Sequence, residues 1–470
     1  MDLIGKLAGI VGASNLLTGE DAAGYGRDFM GRYVAEPLAV VRPGNTAEVS
    51  AVMRLASRSA TPVVPVSGNT GLVGGTHAQG ALMLSLERMN AIREIRPQAR
   101  VAIVEAGVVL ARLHEAVADR DLAFPLFFGA RGSAMIGGCL ATNAGGSNVL
   151  RHGNARALCL GLEVVLADGR VMNLMSELHK DNSGYDLRDL FIGSEGTLGV
   201  ITAAVLKLVP APRAHATAML AARSLRDALI LLNRLQEETG GMVEAFEYMP
   251  RSYMARLREV KPELAPPLGH DRDATILVEL AATAARDAAA REDGTVPLVE
   301  LLETALTEMM EAGLAEDAIV ARSEALRERM WEIREAAARL AMSRNPRVDN
   351  DVAVPLDAVA TFLERAEERL ARLDPAAESI TVAHLGDGNL HYSVWPGRDD
   401  PAHLDAIMEM VEDVVLELGG SFSAEHGIGL SKRPSMARRK DPVALDVMRA
   451  IKAALDPENI LNPGKVLPPG

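Results

Sequence analysis

The segment PVSGNTGLVGGT, residues 65–76, sets four glycines in twelve residues directly behind the strand-like run TPVVPV, 61–66. Glycine loses more conformational freedom on folding than any other residue, so such a run is wasteful inside a strand or a helix. It makes sense where the backbone must approach another body closely. Successive backbone N–H groups in such a loop form a concavity that binds anions, and phosphate is its natural guest. The loop is not a Walker A sequence, because no Gly-Lys-Ser/Thr follows. Nor is it the G-x-G-x-x-G that opens a helix in dinucleotide-binding folds. Two further clusters follow, GARGSAMIGGCLATNAGG at 129–146 and GSEGTLGVIT at 193–202. One such loop would equally suit a mobile surface. Three, interleaved with strands, imply a long phosphate-bearing ligand cradled by several backbone segments.

A chain of 470 residues with 48% hydrophobic content is too long for one ordinary domain and divides into two or three. The runs PLAVVRPGNTAEVSAVMRLA (37–56), ALMLSLERM, VAIVEAGVVL and LGLEVVLADGRVM alternate strand and helix. Thr46 reads as a helix N-cap, with Glu48 in the first turn. They predict an α+β domain over 37–214, preceded by a helical segment over 1–36. A different texture follows over 215–435. SLRDALILLNRLQEE, LVELLETALTEMMEAG and SEALRERMWEIREAAARLA are helical, while TILVELAA and SITVAHL are strands. Residues 436–470 form a helix with a Pro/Gly-rich tail.

The net charge of −14 argues against a nucleic-acid partner, whose binding depends on neutralising phosphates. Two cysteines, Cys139 and Cys159, make neither a disulfide framework nor a cysteine zinc site, and point to a reducing cytoplasm. No stretch reaches the ~18 apolar residues of a membrane span. The start, MDLIGKLAGIVGAS, lacks a basic n-region and reads as a short surface helix. A location in the cytoplasm or at the inner face of the membrane suits both features.

HLGDGNLH, residues 384–391, reads as a hairpin. Asp387-Gly388 is a preferred pair for a two-residue turn, which would set His384 directly opposite His391. Opposed residues share a face, with Cβ atoms roughly 4.5–5.5 Å apart, and two imidazoles so placed can share a metal ion. The same spacing also suits a hairpin with a polar wet face. Downstream, SAEHGIG at 423–429 sets Glu425 beside His426. In an extended segment neighbours point to opposite faces, so these two do different jobs. The helix over 325–341 carries Trp331, Arg334 and Arg339, either as a solvated face or as ligand contacts.

The three glycine segments resemble the flavin domain of the vanillyl-alcohol oxidase/p-cresol methylhydroxylase superfamily. The remainder resembles the FAD-linked D-2-hydroxyacid dehydrogenases: D-2-hydroxyglutarate dehydrogenase, D-lactate dehydrogenase and the glycolate oxidase flavin subunit. The implied fold is α+β: a two-subdomain FAD-binding domain, a substrate (cap) domain with an antiparallel sheet, and a C-terminal helical segment. In that resemblance Ser67, Gly68, Asn69, Thr70, Gly71, Leu72, Gly75 and Thr76 wrap the FAD pyrophosphate. Ser133, Gly137, Gly138, Thr142, Asn143, Gly145 and Gly146 line the flavin and its ribityl chain. Glu195, Gly199, Val200 and Ile201 hold the adenine end, and Asn462 of NPGK returns to the flavin edge. Covalent members carry a histidine in the first loop. Here that stretch reads Ser67-Gly68-Asn69-Thr70, and neither His77 nor His152 fits an attachment motif, so non-covalent FAD is expected.

The resemblance also implies that His384, His391 and Glu425 bind a divalent metal and that His426 is the base. Zinc is the first choice by ligand type, with manganese and iron as alternatives. Arg334 would grip the substrate carboxylate, with Asn389 beside it. Members resembling D-2-hydroxyglutarate dehydrogenase place a threonine four residues after this arginine. They also place a lysine six residues before the proline of the D-V-x-V-P strand. Here those positions are Ala338 and Asp349. A carboxylate at 349 would repel a second substrate carboxylate and could instead pair with Arg334, which makes a monocarboxylate such as D-lactate, or a larger D-2-hydroxyacid, at least as fitting as D-2-hydroxyglutarate. Arg347 could replace the missing lysine.

The expected activity is oxidation of a D-2-hydroxyacid to the 2-oxoacid. Hydride passes to flavin N5, and electrons then go to a quinone, a cytochrome or an electron-transfer flavoprotein. A homodimer is compatible with this reading. The rivals are an oxygen-reducing oxidase, a glycolate oxidase-type flavin subunit of a larger complex, and a non-redox enzyme resembling alkylglycerone-phosphate synthase.

Overall fold

The computed structural model describes residues 2–469 as two compact units. The first comprises 2–145, 153–210 and 425–469; the second comprises 146–152 and 211–424. The chain thus rejoins the first unit at Glu425, ahead of the 436 boundary read from sequence.

The first unit holds two sheets. One has the strand order Leu16–Leu17, Ala39–Val41, Leu82–Ser85, Val63–Val66. Its last three strands are parallel, and the short first one adds antiparallel to Ala39–Val41. Residues 1–36 are therefore not wholly helical: the helix Leu3–Val11 is followed by this edge strand. Parallel strands are covered on both faces, which is why Ala39–Val41 and Leu82–Ser85 are buried throughout. Ala39, Val41, Leu82 and Leu84 pack against Val49, Val52 and Met53 of the helix Thr46–Arg58, while Val40, Val64 and Met83 fill the opposite face. That helix is capped by Asn45, one place before the predicted cap; the Asn45 side chain accepts from the Glu48 N–H, and Thr46 is the first helical residue. Thr46 instead donates its hydroxyl to Glu163 Oε1 at 2.6 Å.

The other sheet is antiparallel, in the order Ile92–Arg96, Val101–Glu105, Val200–Lys207, Cys159–Val165, Val171–Leu174. It packs against the helix Leu110–Ala118. The C-terminal helix Pro442–Leu455 leads into Ile460, whose carbonyl accepts from the Val63 N–H at 2.7 Å. Ile460 and Leu461 are buried in the first sheet's core.

The second unit is built on one seven-stranded antiparallel sheet. The order is Ala315–Val320, Ala214–Ala222, Ala274–Ala282, Val243–Pro250, Glu378–His384, Asn389–Trp395, Val348–Ala353. One face packs on the helices Leu225–Thr239, Pro297–Glu311, Val359–Leu373 and Pro401–Glu417. The other packs on Arg251–Val260, Glu324–Glu335 and Ala337–Ala341. The second face also carries a polar row that includes Glu279, Glu247, His384 and His391.

The hairpin departs from the predicted register. His384 pairs with Asn389, Ala383 with Leu390 and Val382 with His391. The loop is four residues long, with the Gly388 N–H bonded to the His384 carbonyl at 3.1 Å. The register is displaced by two residues, and a displacement of two keeps every side chain on its face. His384 and His391 therefore still meet, diagonally, with ring centroids 5.5 Å apart. Gly388 has φ +81°, and a Cβ there would lie 2.2 Å from the Val354 carbonyl oxygen. Gly388→Ala adds a strained φ to a backbone clash and is expected to cost at least about 1–3 kcal/mol. Chemical denaturation checks this; an unchanged midpoint would mean that the loop tolerates another path.

Candidate active site

In the first unit the glycine segments converge through side chains that bond to backbone. Ser67, Gly68, Asn69, Thr70, Gly71, Leu72, Gly75 and Thr76 form the irregular loop after the strand Val63–Val66. Asn69 bridges the Arg27 carbonyl and Thr76 Oγ1. Ser133 follows a turn at Gly129–Gly132; Gly137 and Gly138 lie on the short helix Ile136–Ala141, and Thr142, Asn143 and Gly145 follow its end. Gly146, φ +130°, opens the excursion assigned to the second unit. Asn462 joins two of these segments: its Nδ2 donates to the Gly75 carbonyl at 3.0 Å and to the Glu195 carbonyl at 2.7 Å.

The glycines fall into two classes. A Cβ at Gly68 would lie 2.1 Å from the Ser133 carbonyl oxygen, one at Gly137 would lie 2.7 Å from Ala106 Cβ, and one at Gly199 would lie 2.6 Å from Val164. These three are required by packing within the protein. Gly71, Gly129 and Gly132 have nothing within 4 Å of such an atom and can offer backbone to a ligand. Val200 and Ile201 send their side chains into the two cores and have only backbone left to offer.

Four of the predicted cofactor positions, Asn69, Asn143, Glu195 and Asn462, hold positive φ without being glycine. Each such residue costs of order 1–3 kcal/mol and persists only where its surroundings over-determine it. Asn462 Oδ1 is buried with no hydrogen-bond partner among the described residues. Strained turns, open glycine backbone and an orphaned acceptor are what a flavin dinucleotide's pyrophosphate and ring amides require, so these segments fit FAD.

Glu195 does more than the sequence reading assigned to it. Its carboxylate accepts from the Ile428 N–H at 2.7 Å and from the Gly429 N–H at 2.8 Å. Burial pushes its pKa up despite both bonds. The two glycines after His426 follow from this contact. A Cβ at Gly427 would lie 2.7 Å from Glu195 Oε1, and one at Gly429 would lie 2.3 Å from the Val73 carbonyl oxygen. The loop carrying Glu425 and His426 is thus pinned within the first unit.

In the second unit His384 and His391 face each other on the polar side of the sheet. Each has a buried carboxylate behind it: His384 Nδ1 is 2.7 Å from Glu247 Oε1, and His391 Nδ1 is 3.7 Å from Asp351 Oδ1. Two facing imidazoles, one held by a carboxylate hydrogen bond and the other with a carboxylate nearby, have the donor chemistry of a zinc-type site. Asn389 donates Nδ2 to Asp351 Oδ1 and to the Val352 carbonyl, and its buried Oδ1 has no partner among the described residues. Glu425 and His426 follow directly after Ala424, whose N–H bonds the Asp351 carbonyl at 3.2 Å.

Arg334 lies on the helix Glu324–Glu335 and donates Nε to Glu247 Oε2 at 2.6 Å. Its Nη2 is almost equidistant from the two nitrogens of His384, at 3.4 and 3.3 Å. Burial alone would raise the pKa of Glu247, but Arg334 and His384 outweigh it and hold the carboxyl down at about 2. Asp349, expected opposite Arg334, instead accepts from Arg347 Nε at 2.8 Å and from Ser393 Oγ at 3.0 Å. Glu247 was missed in the sequence because the strand VEAFEYMP was not recognised; its signal is that two acids, Glu244 and Glu247, sit inside an otherwise largely apolar run.

Residues 37–175 match the family of FAD binding domains, and residues 211–466 match the C-terminal domain of FAD-linked oxidases. The chain is 35% identical to a D-2-hydroxyglutarate dehydrogenase of Xanthomonas citri pv. viticola, covering 95% of this chain and 92% of that one. It is 38% identical to the mitochondrial D-2-hydroxyglutarate dehydrogenase of Bos taurus, covering 91% and 76%. The structure of p-cresol methylhydroxylase with substrate bound aligns with a TM-score of 0.74 over 98% of this chain and 96% of the other, at 17% identity, which shows a shared fold. With a family model over more than half of its length and relatives above 30% identity across most of theirs, the chain belongs to the FAD-linked D-2-hydroxyacid dehydrogenases.

Proposed function

We propose that this FAD-dependent dehydrogenase oxidises D-2-hydroxyglutarate in preference to D-lactate, and that a divalent metal at His384, His391 and Glu425 and the base His426 carry the reaction. The observation that supports the metal reading is the pair of carboxylate-backed imidazoles on one sheet face. The substrate reading rests on the relatives' names and on Asp349, whose charge is matched by Arg347 and whose second oxygen is taken by Ser393. A carboxylate so engaged does not repel a dianionic substrate. Arg347 then supplies the cation that a distal carboxylate needs.

Bound FAD supplies a hydride acceptor at its N5. A divalent ion at the histidines supplies Lewis acidity towards the substrate's hydroxyl and α-carboxylate, with zinc favoured by the ligand types. The protein's own groups do the rest. Arg334 pairs with the α-carboxylate, a task suited to a planar guanidinium. Asn389 orients the bound acid through its amide oxygen. The imidazole of His426 takes the hydroxyl proton as general base. Non-covalent flavin is supported by the absence of histidine from Ser67–Thr76, and by His152, whose Nε2 lies 3.3 Å from Glu244.

Anaerobic mixing with single acids is the direct test. D-2-hydroxyglutarate should bleach the flavin, and L-2-hydroxyglutarate should not. Prior chelation should abolish bleaching, and added Zn2+ or Mn2+ should restore it. Bleaching that survives complete metal removal would sink the metal reading; equal rates with D-lactate would sink the substrate preference. Arg347→Ala is expected to raise KM for D-2-hydroxyglutarate by roughly tenfold or more, since a hydrogen bond to a charged group is worth ~1.5–3 kcal/mol. KM for D-lactate, which lacks the second carboxylate, should change little. A parallel rise for both acids would exclude Arg347 as the distal contact.

A further inference from the structure

Glu247 lies on the strand Val243–Pro250 directly opposite His384 of the strand Glu378–His384. Directly paired residues project from the same face, so the backbone of two adjacent strands aims this carboxylate at that imidazole. The side chain is 0% exposed and cannot turn to water. Its two oxygens are divided: Oε1 is 2.7 Å from His384 Nδ1, and Oε2 accepts from Arg334 Nε at 2.6 Å. One buried group therefore touches both the expected metal ligand and the expected substrate cation.

We propose that Glu247 is a positioning residue for this oxidation, fixing the His384 tautomer that presents Nε2 to the divalent ion and, through its other oxygen, the pose in which Arg334 meets the substrate carboxylate. The inference rests on the metal reading above. A carboxylate can only accept, so it requires the His384 proton on Nδ1 and leaves the lone pair on Nε2. Outer partners of this kind fix ring orientation and raise ligand basicity. The negative charge also lies beside both Arg334 and the imidazole, where it offsets the repulsion between a guanidinium and a divalent cation.

A glutamine cannot substitute. It has one accepting oxygen for two donors, and its NH2 must face either Arg334 Nε or His384 Nδ1. Facing Arg334, it sets donor against donor. Facing His384, it reverses the tautomer and puts the proton on Nε2, the atom needed for the metal. Glu279 provides an internal control. It is also buried, and it accepts from Arg327 of the same helix through both oxygens at 2.7 and 2.8 Å. The nearest imidazole nitrogen to it, His215 Nδ1, is 3.6 Å away, beyond bonding distance.

The test is zinc affinity, measured on metal-stripped, flavin-loaded protein by competition with a chromophoric chelator. Glu247→Gln should bind Zn2+ about tenfold to a hundredfold more weakly than the wild type. Glu279→Gln, which loses an ion pair to the same helix, should keep wild-type affinity, and Glu247→Asp should recover part of the loss. With D-2-hydroxyglutarate, Glu247→Gln should show a raised KM together with a lowered kcat at unchanged FAD content. Wild-type zinc affinity in Glu247→Gln would overturn the proposal, as would an equal loss in Glu279→Gln, which would mark general loosening. Should Glu247→Gln fail to fold, Glu247→Asp decides the matter alone: wild-type affinity overturns the inference, and a several-fold loss supports it. A wild-type protein that takes up no divalent ion, or a His391→Asn variant that binds as tightly as wild type, overturns the metal reading itself and this inference with it.

Discussion

A carboxylate sealed inside a β-sheet stays ionised only if cations are brought to it, and breaking such a buried pair costs about 3–5 kcal/mol. Much of the second unit is arranged around that requirement. Glu279 and Glu247 project from neighbouring strands onto one face. The helix Glu324–Glu335 answers them with Arg327, Trp331 and Arg334, spaced four and three residues apart and hence on one side of the helix. Arg327 and Trp331 bond Glu279; Arg334 bonds Glu247. The helix is locked in rotation and in register by directional bonds as well as by its apolar neighbours Met330 and Ile333. Arg334 is therefore held by a rigid sheet, the condition under which a binding group keeps its geometry.

The first unit applies the same logic to backbone. Its loops carry no regular hydrogen-bond ladder, so side chains supply the missing partners. Glu195 satisfies two N–H groups of the segment after His426, and Asn462 satisfies two carbonyls of separate glycine loops. Both residues sit at positive φ, so strain is concentrated at the junctions between segments. Lys465 adds a further tie, donating Nζ to the His77 carbonyl at 2.9 Å. A ligand held by main-chain amides depends on such junctions, because a loop free to move would present its N–H groups to water instead.

What could be read from the sequence depended on whether a signal was local. The glycine clusters are local, and so are the β-forming residues of SITVAHL that marked the strand Glu378–His384. The hairpin register was not. Asp387-Gly388 suggested a two-residue turn, but Gly388 closes a four-residue loop packed against Val354. The facing histidines survived this error because a displacement of two residues preserves the face, whereas a displacement of one would have turned one of them into the apolar core. The partners of Glu247 and Glu279 and the double role of Glu195 were invisible for a different reason. Each depends on a contact far along the chain, and no spacing encodes that. Glycine content likewise could not separate Gly68, forced by the Ser133 carbonyl, from Gly71, which faces open space.

The arrangement of charge on the sheet face also bears on which acid the site prefers. Each arginine on that face comes with an acid: Arg327 with Glu279, Arg334 with Glu247, Arg347 with Asp349. Such pairs are nearly neutral, so the face does not attract anions by net charge. On the proposed reading it would discriminate by geometry, through the guanidinium groups of Arg334 and Arg347. An arginine anchored through Nε can still turn a terminal nitrogen towards a planar carboxylate, which a lysine in the same pair could not do. Arg334 and Arg347 are both anchored in this way. On the proposed reading a substrate with two carboxylates would engage both anchors and a monocarboxylate one, so a preference for the dianion would arise from the number of bonds formed and not from a field that would draw in any anion.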